Sequence, residues 1–260
     1  MTTAYSHSAL PSLVFDERLN PSVVADLDSP ALILFDERVE SNLATLVRLA
    51  GSAARLRPHV KTHKMPELIR RCEALGITRH KVATIAEAEM VAQAGGRDVL
   101  IAYPLIGPKL DRVMKLRAAY PETTFRVTLD NLSGLVELEH AAARHAGDIT
   151  PPVSVLIDLN VGMNRTGAMP DDRAYELALK VAESPHLSFD GLHAYDGHIR
   201  DEDPNERFDS AKFMVHLPLS ILRNRLIERG LDVPRIVLGG TPAFPAHATL
   251  AADEPTAEFS

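Results

Sequence analysis

The chain has a single cysteine, no long apolar run and no long basic run. Cys72 has no partner for an internal disulfide. The opening Met1-Thr2-Thr3-Ala4-Tyr5-Ser6-His7 lacks the charged-then-apolar pattern of a secretory signal, so the cytoplasm is the expected compartment. Runs such as Ala31-Leu32-Ile33-Leu34-Phe35 are too short to cross a bilayer, which argues against an integral membrane protein. A formal net charge of -7 with no basic tract to offset it argues against nucleic-acid binding and leaves a small molecule as the expected partner. What is present is ordinary globular material: 45% hydrophobic and 24% charged residues over 260 positions, enough for one sizeable core.

From Ser29 onward one local grammar repeats: a short aliphatic or β-branched run, a polar or glycine-bearing junction, then a stretch of helical period. The runs predict strands at Ala31–Phe35, Leu56–Thr62, Lys81–Ile85, Asp98–Tyr103, Thr124–Leu129, Val153–Asn160, Leu187–Tyr195 and Arg235–Gly239. Alternating strand and helix imply right-handed crossovers and a parallel sheet, and eight such units in this length fit a closed (β/α)8 TIM-type barrel of the α/β class. Pro218 is expected to split the long pattern Asn205–Arg229 near His216. Residues 1–25 are polar, carry Pro11 and Pro21 and show no period, so they read as an arm ahead of a barrel at 26–260. After the eighth run, Ala257-Glu258-Phe259-Ser260 reads as the start of a further element.

The most informative segment is Arg57-Pro58-His59-Val60-Lys61-Thr62-His63-Lys64. On a strand, Arg57, His59, Lys61 and His63 would share one face. Cations held that close require an anion or a carbonyl ligand among them, or the loss of a proton from one amine. A lysine so perturbed is a Schiff-base former, which singles out Lys61. In a barrel the site lies where strands end, and three more strand ends turn polar: Ile157 to Gly167, Gly191 to His198, and Leu238-Gly239-Gly240-Thr241-Pro242. Glycines before a helix start suit a phosphate. A carbonyl-capturing lysine and a phosphate cradle on one rim together suggest pyridoxal phosphate, with Gly240 and Thr241 at its phosphate. His59 and His63 are four apart, but that spacing serves a helical face and Pro58 makes this stretch extended, so no internal metal ligands are expected. His80, His140 and His145 read as surface residues, and Asp196 and His198 as supporting ones.

These segments resemble the alanine-racemase-like, fold-type III pyridoxal-phosphate enzymes, most closely the branch of D-threonine aldolases and eukaryotic-type D-serine dehydratases. The carriers are Arg57 to Lys64, Gly162-Met163-Asn164-Arg165-Thr166-Gly167, Gly191-Leu192-His193-Ala194-Tyr195-Asp196-Gly197-His198 and Gly239-Gly240-Thr241-Pro242. The resemblance implies that Lys61 carries the cofactor as a Schiff base, that Arg165 lies near its phenolic oxygen, that Tyr195 flanks its ring and that His193 is the base for a substrate β-hydroxyl. His59 is counted with the cofactor-binding residues. It further implies a homodimer, a D-amino acid substrate, and cleavage of a β-hydroxy-D-amino acid to glycine and an aldehyde. Dehydration of D-serine and non-catalytic binding or buffering of pyridoxal phosphate stand as alternatives. Members of this branch continue into a β-rich C-terminal domain that holds a divalent metal, manganese or zinc, through a histidine with an aspartate or cysteine. The chain stops before such a domain, so those ligands are expected to be missing.

Overall fold

The computed structural model describes residues 22, 25–28, 30–147 and 151–260, and the chain divides into units Met1–Ser41 and Asn42–Ser260. The predicted arm at 1–25 lies almost wholly outside the described residues. Ala31–Phe35, predicted to be the first strand, belongs to no sheet. The backbone instead turns into α1 (Asp36–Ala50), whose first N–H groups, of Arg38 and Val39, donate to Phe35 O at 3.0 Å.

The second unit alternates strand and helix: α2 (Pro66–Ala74), β1 (Arg79–Val82), α3 (Ile85–Gln93), β2 (Asp98–Ile101), α4 (Pro108–Ala119), β3 (Thr124–Leu129), α5 (Leu132–Arg144), β4 (Val153–Leu159), α6 (Asp172–Glu183), β5 (Leu187–Tyr195), α7 (Pro204–Ser210), α8 (Leu217–Glu228), β6 (Ile236–Gly239), α9 (Phe244–Leu250) and β7 (Ala257–Phe259). Capping sets several boundaries. Ile85, predicted to end a strand, opens α3 because Thr84 Oγ1 accepts the Glu87 N–H at 3.1 Å. Asn131 and Asp171 cap α5 and α6 in the same way. The split expected at Pro218 is found as a π turn, Ala211–His216, between α7 and α8. A proline there removes an N–H and crowds the carbonyl one turn back, which widens the helix.

All seven described strands run parallel in the order β1 to β7. Parallel bridges from Leu56 to Phe259 and from His59 to Lys81 place the segment Leu56–His59 between β7 and β1. Arg57 N donates to Phe259 O and Lys81 N to Pro58 O, carrying the ladder around the ring. Eight staves are therefore present, as expected, but their membership differs: Ala257–Phe259 is one of them and Ala31–Phe35 is not. The predicted strand Leu56–Thr62 is also shorter than expected, since Val60–Thr62 winds into a 3-10 turn after Pro58. No helix among the described residues is long and apolar enough to cross a membrane.

Period-two alternation sends each strand's side chains to two different cores. Outward residues such as Val82, Val99, Val127, Val155, Leu192 and Leu238 pack beneath the helices in the main apolar cluster. The inward set is layered. At the foot, Arg57 meets Glu258 at 2.5 Å and Asp98 at 2.7 Å, Arg126 meets Asp98 at 2.6 Å and Asp190 at 2.5 Å, and Arg235 bridges Asp190 and Glu258. Leu100, Leu156 and Val237 form a small apolar layer of their own. Lys81, Asp158 and His193 lie at the strands' C-terminal ends.

Candidate active site

Only part of the predicted basic face survives. Arg57, fully buried, is neutralised at the foot by Glu258 and Asp98 and takes no part in the mouth. His63 leaves the face as the chain turns, and its Nδ1 accepts the Met65 N–H at 3.0 Å. His59 and Lys61 stay together, since His59 Nδ1 accepts the Lys61 N–H at 3.2 Å and caps the 3-10 turn that presents Lys61. Burial, then the charges of Lys81, Lys61, His193 and Arg165, push His59 down to about 3, so its ring is neutral near pH 7.

Arg165 comes from the loop Asn160–Gly167. Asn160 Oδ1 accepts from Gly162 N and Asn164 N, both at 3.1 Å, and holds Asn164 at φ 52, a left-handed conformation that asparagine tolerates. Gly167 has φ 104, and a Cβ there would strike the backbone of Leu159 and Asn160. The loop sets the Arg165 guanidinium over the Tyr195 ring at 4.9 Å. Lys61 Nζ and Lys81 Nζ stand 5.6 Å and 5.4 Å from the centroid of the same ring, so three basic side chains gather around Tyr195.

His193 on β5 lies opposite Asp158 on β4 in the ladder register. Its Nδ1 lies 2.6 Å from Asp158 Oδ1, and Thr166 Oγ1 donates to Asp158 Oδ2 at 2.8 Å. Burial alone would raise Asp158, but His193, Thr166 and Lys81 hold the carboxyl below its usual range. The ionised carboxylate accepts, which assigns the proton to His193 Nδ1 and a lone pair to Nε2. Nε2 is buried with no protein partner. Burial first, then the charge of Lys81, lowers His193, so the ring is neutral and able to accept a proton.

Gly240 meets the site through Asp196, the residue after Tyr195. Asp196 N donates to Gly239 O at 2.8 Å, and a Cβ on Gly240 would collide with the Asp196 carboxylate. Thr241 is exposed in the turn that follows. Asp196 Oδ2 accepts from His247 Nε2 at 2.7 Å, and His247 Nδ1 lies 2.9 Å from His216 Nε2. Lys61, His59, Arg165, Tyr195 and His193 thus face one mouth, with Gly240 on its rim.

Two contributors escaped the sequence reading. Asp158 sat in a quoted strand end, but only the register pairs it with His193. Lys81 is the second, and the signal for it was slight: one lysine at the head of a predicted strand, at the parity that points inward. Asp196, read as a supporting residue, anchors His247, fifty-one positions away. Burial, then Lys61 and Arg57, outweigh the pull of Asp158 and Asp196 and bring Lys81 down to about 7. His80, expected at the surface, is fully buried on β1 with Nε2 2.9 Å from Glu73.

The family model for the N-terminal domain of alanine racemase matches residues 36–255. The chain belongs to that family. It is 29% identical over 227 residues to D-threonine aldolase of an Arthrobacter species, covering 84% of this chain and 56% of that protein. It is 28% identical over 252 residues to 3-hydroxy-D-aspartate aldolase of Paracoccus denitrificans strain Pd 1222, covering 92% and 59%. The crystal structure of D-threonine aldolase from Filomicrobium marinum superposes with a TM-score of 0.81 at 32% identity, covering 91% of this chain and 62% of the other. The chain therefore spans somewhat over half the length of the curated relatives it matches. Pyridoxal phosphate is the cofactor expected of alanine racemase N-terminal domain proteins.

Proposed function

We propose that this chain is the barrel of a pyridoxal-phosphate-dependent lyase that cleaves a β-hydroxy-D-amino acid to glycine and an aldehyde. The observation that carries the reading is His193: a buried, neutral imidazole, oriented by Asp158, with Nε2 unpartnered and the charge of Arg165 within reach. The similarity to proteins named as aldolases supports it.

The residues present fit the cofactor. Lys61 offers an amine to its aldehyde, Arg165 is a donor that cannot lose its proton and suits an anionic oxygen, and Tyr195 gives a ring face. At Gly239 and Gly240 a Cβ would strike Ser260 Oγ and the Asp196 carboxylate, so only glycine lets the backbone pass so close to them, and Gly240 and Thr241 are assigned to the phosphate. When bound, the cofactor supplies a sink for the electrons of the breaking Cα–Cβ bond. The protein's own part is proton handling. His193 Nε2 takes the β-hydroxyl proton, and the Asp158 carboxylate stabilises the imidazolium that forms. His59, being neutral, adds no charge beside Lys61. A divalent metal is not matched by the residues present: no group of three or more His, Cys, Asp or Glu side chains gathers to hold one among the described residues.

Supplying pyridoxal phosphate and D-threonine, with and without manganese, is expected to release acetaldehyde and glycine. His193→Asn is expected to keep the cofactor colour and lose roughly a hundred- to ten-thousand-fold in turnover. Asp158 acts through His193, so Asp158→Asn should lower the rate and move the acid limb of kcat/KM to lower pH, because the carboxylate favours the protonated ring. Cofactor binding with no turnover under either metal condition, or a fully active His193→Asn, would overturn the lyase reading.

A further inference from the structure

Lys81 has no role in the scheme above, yet among the described residues no other amine is enclosed so completely. Its side chain points into the barrel from β1 and is buried. Its one hydrogen bond goes to a hydroxyl, Ser260 Oγ at 2.7 Å. Among the described residues no carboxylate lies within ion-pair distance of Nζ. Asp158 is taken by His193 and Thr166, and Asp196 by His247. The other charged or titratable groups around it are His59, Lys61 and Arg57 from the segment bridging β7 and β1, His193 and Tyr195 from β5, and Arg165, which shares the Tyr195 ring. Most of these are cationic or neutral. A buried ammonium without a counter-ion in contact, among other cations, is costly, so the enclosure favours the neutral amine.

We infer that Lys81 is a proton-linked anion-binding group at the floor of the mouth: when an anionic ligand fills the mouth, Lys81 Nζ takes one proton from solvent and the resulting ammonium faces the ligand. No bond breaks; R–NH2 and H+ become R–NH3+. The identity of the ligand rests on the pyridoxal-phosphate reading, whereas the linkage rests on the enclosure of Lys81. The sign follows from its lowered pKa, about 7. Below that value the charge is already present and binding takes up little. Above it the proton must be acquired on binding, so affinity falls as pH rises.

The test uses 4'-deoxypyridoxine 5'-phosphate, which has no aldehyde for Lys61. Calorimetry between about pH 6.5 and about 9.5, in buffers of differing ionisation enthalpy, gives both affinity and protons exchanged. The protein as it stands should take up close to one proton near pH 8 and lose about tenfold in affinity per pH unit above about 7. Lys81→Arg keeps the charge at every pH, so its affinity should exceed that of the parent increasingly toward high pH, the ligand's own titration cancelling in the ratio. Lys81→Met should bind more weakly without the linked proton, and Lys61→Ala should retain it. Equal pH slopes for the parent and Lys81→Arg overturn the inference, as does uptake that vanishes in Lys61→Ala but persists in Lys81→Met. Binding without Lys81-dependent uptake sinks this inference alone. Absence of binding at every pH sinks it together with the cofactor reading.

Discussion

Lys61→Ala is expected to give a protein that stays colourless with pyridoxal phosphate and that borohydride cannot label. The mouth contains two amines, and burial brings Lys81 down to about 7. Lone-pair availability is not sufficient for carbonyl capture, because the amine must also meet the aldehyde. Lys61 is exposed on a one-turn helix whose cap, His59, fixes its backbone. Lys81 is buried below the Tyr195 ring and hydrogen-bonded to Ser260. Reach favours Lys61, and the charge on Lys81 serves the anion. Peptide mapping after borohydride reduction decides between them. Label on the peptide containing Lys61, lost in Lys61→Ala and kept in Lys81→Met, is the expected pattern. Label on Lys81 in the unaltered protein would reverse the assignment.

The second large effect concerns stability. Arg57→Ala should destabilise the fold by about 3 kcal/mol in urea titrations at neutral pH, since it takes the shared partner from buried Glu258 and half-buried Asp98 and leaves them to their remaining arginines. The loss joins distant parts of the chain, because Arg57 and Glu258 tie the first stave of the ring to the last. Its pH dependence has a definite sign. Burial alone would raise Asp98, but Arg57, Arg126 and Arg235 hold the carboxyl below its ordinary value. A depressed carboxyl contributes stability that is fully present above its unfolded value, about 4, and is lost as pH falls through the folded one. The gap between Arg57→Ala and the parent should therefore narrow under acid conditions. A gap that stays constant from neutral pH into strong acid would show that the ion pairs contribute little.

Much of the barrel was legible in the residues because its signals are local. β3 and β5 have the bounds that the aliphatic runs predicted, and the split before Pro218 follows from one missing N–H and one ring. Strand membership was less legible. Ala31–Phe35 has a better strand composition than Ala257–Phe259, yet the shorter segment joins the sheet. Composition reports what can pair, whereas the ring decides which segments do.

The sites divide along the same line. The segments that carry Lys61, Arg165, Tyr195, His193 and Gly240 stood out because an apolar run turns polar there, a property of neighbours in sequence, and the family resemblance then singled out the residues within them. The fate of Arg57 could not be read that way. Alternation correctly turned it inward with His59, but its anions come from Asp98 and Glu258, and the tilt of the staves puts it at the foot. By itself, then, the sequence determined the strand-helix alternation, the parallel α/β class and the short list of reactive residues. Only the tertiary structure decided which carboxylate orients His193, which cations are neutralised and which lysine is enclosed without a counter-ion. Those outcomes depend on register and burial, which set distance and dielectric between residues that the chain itself keeps far apart.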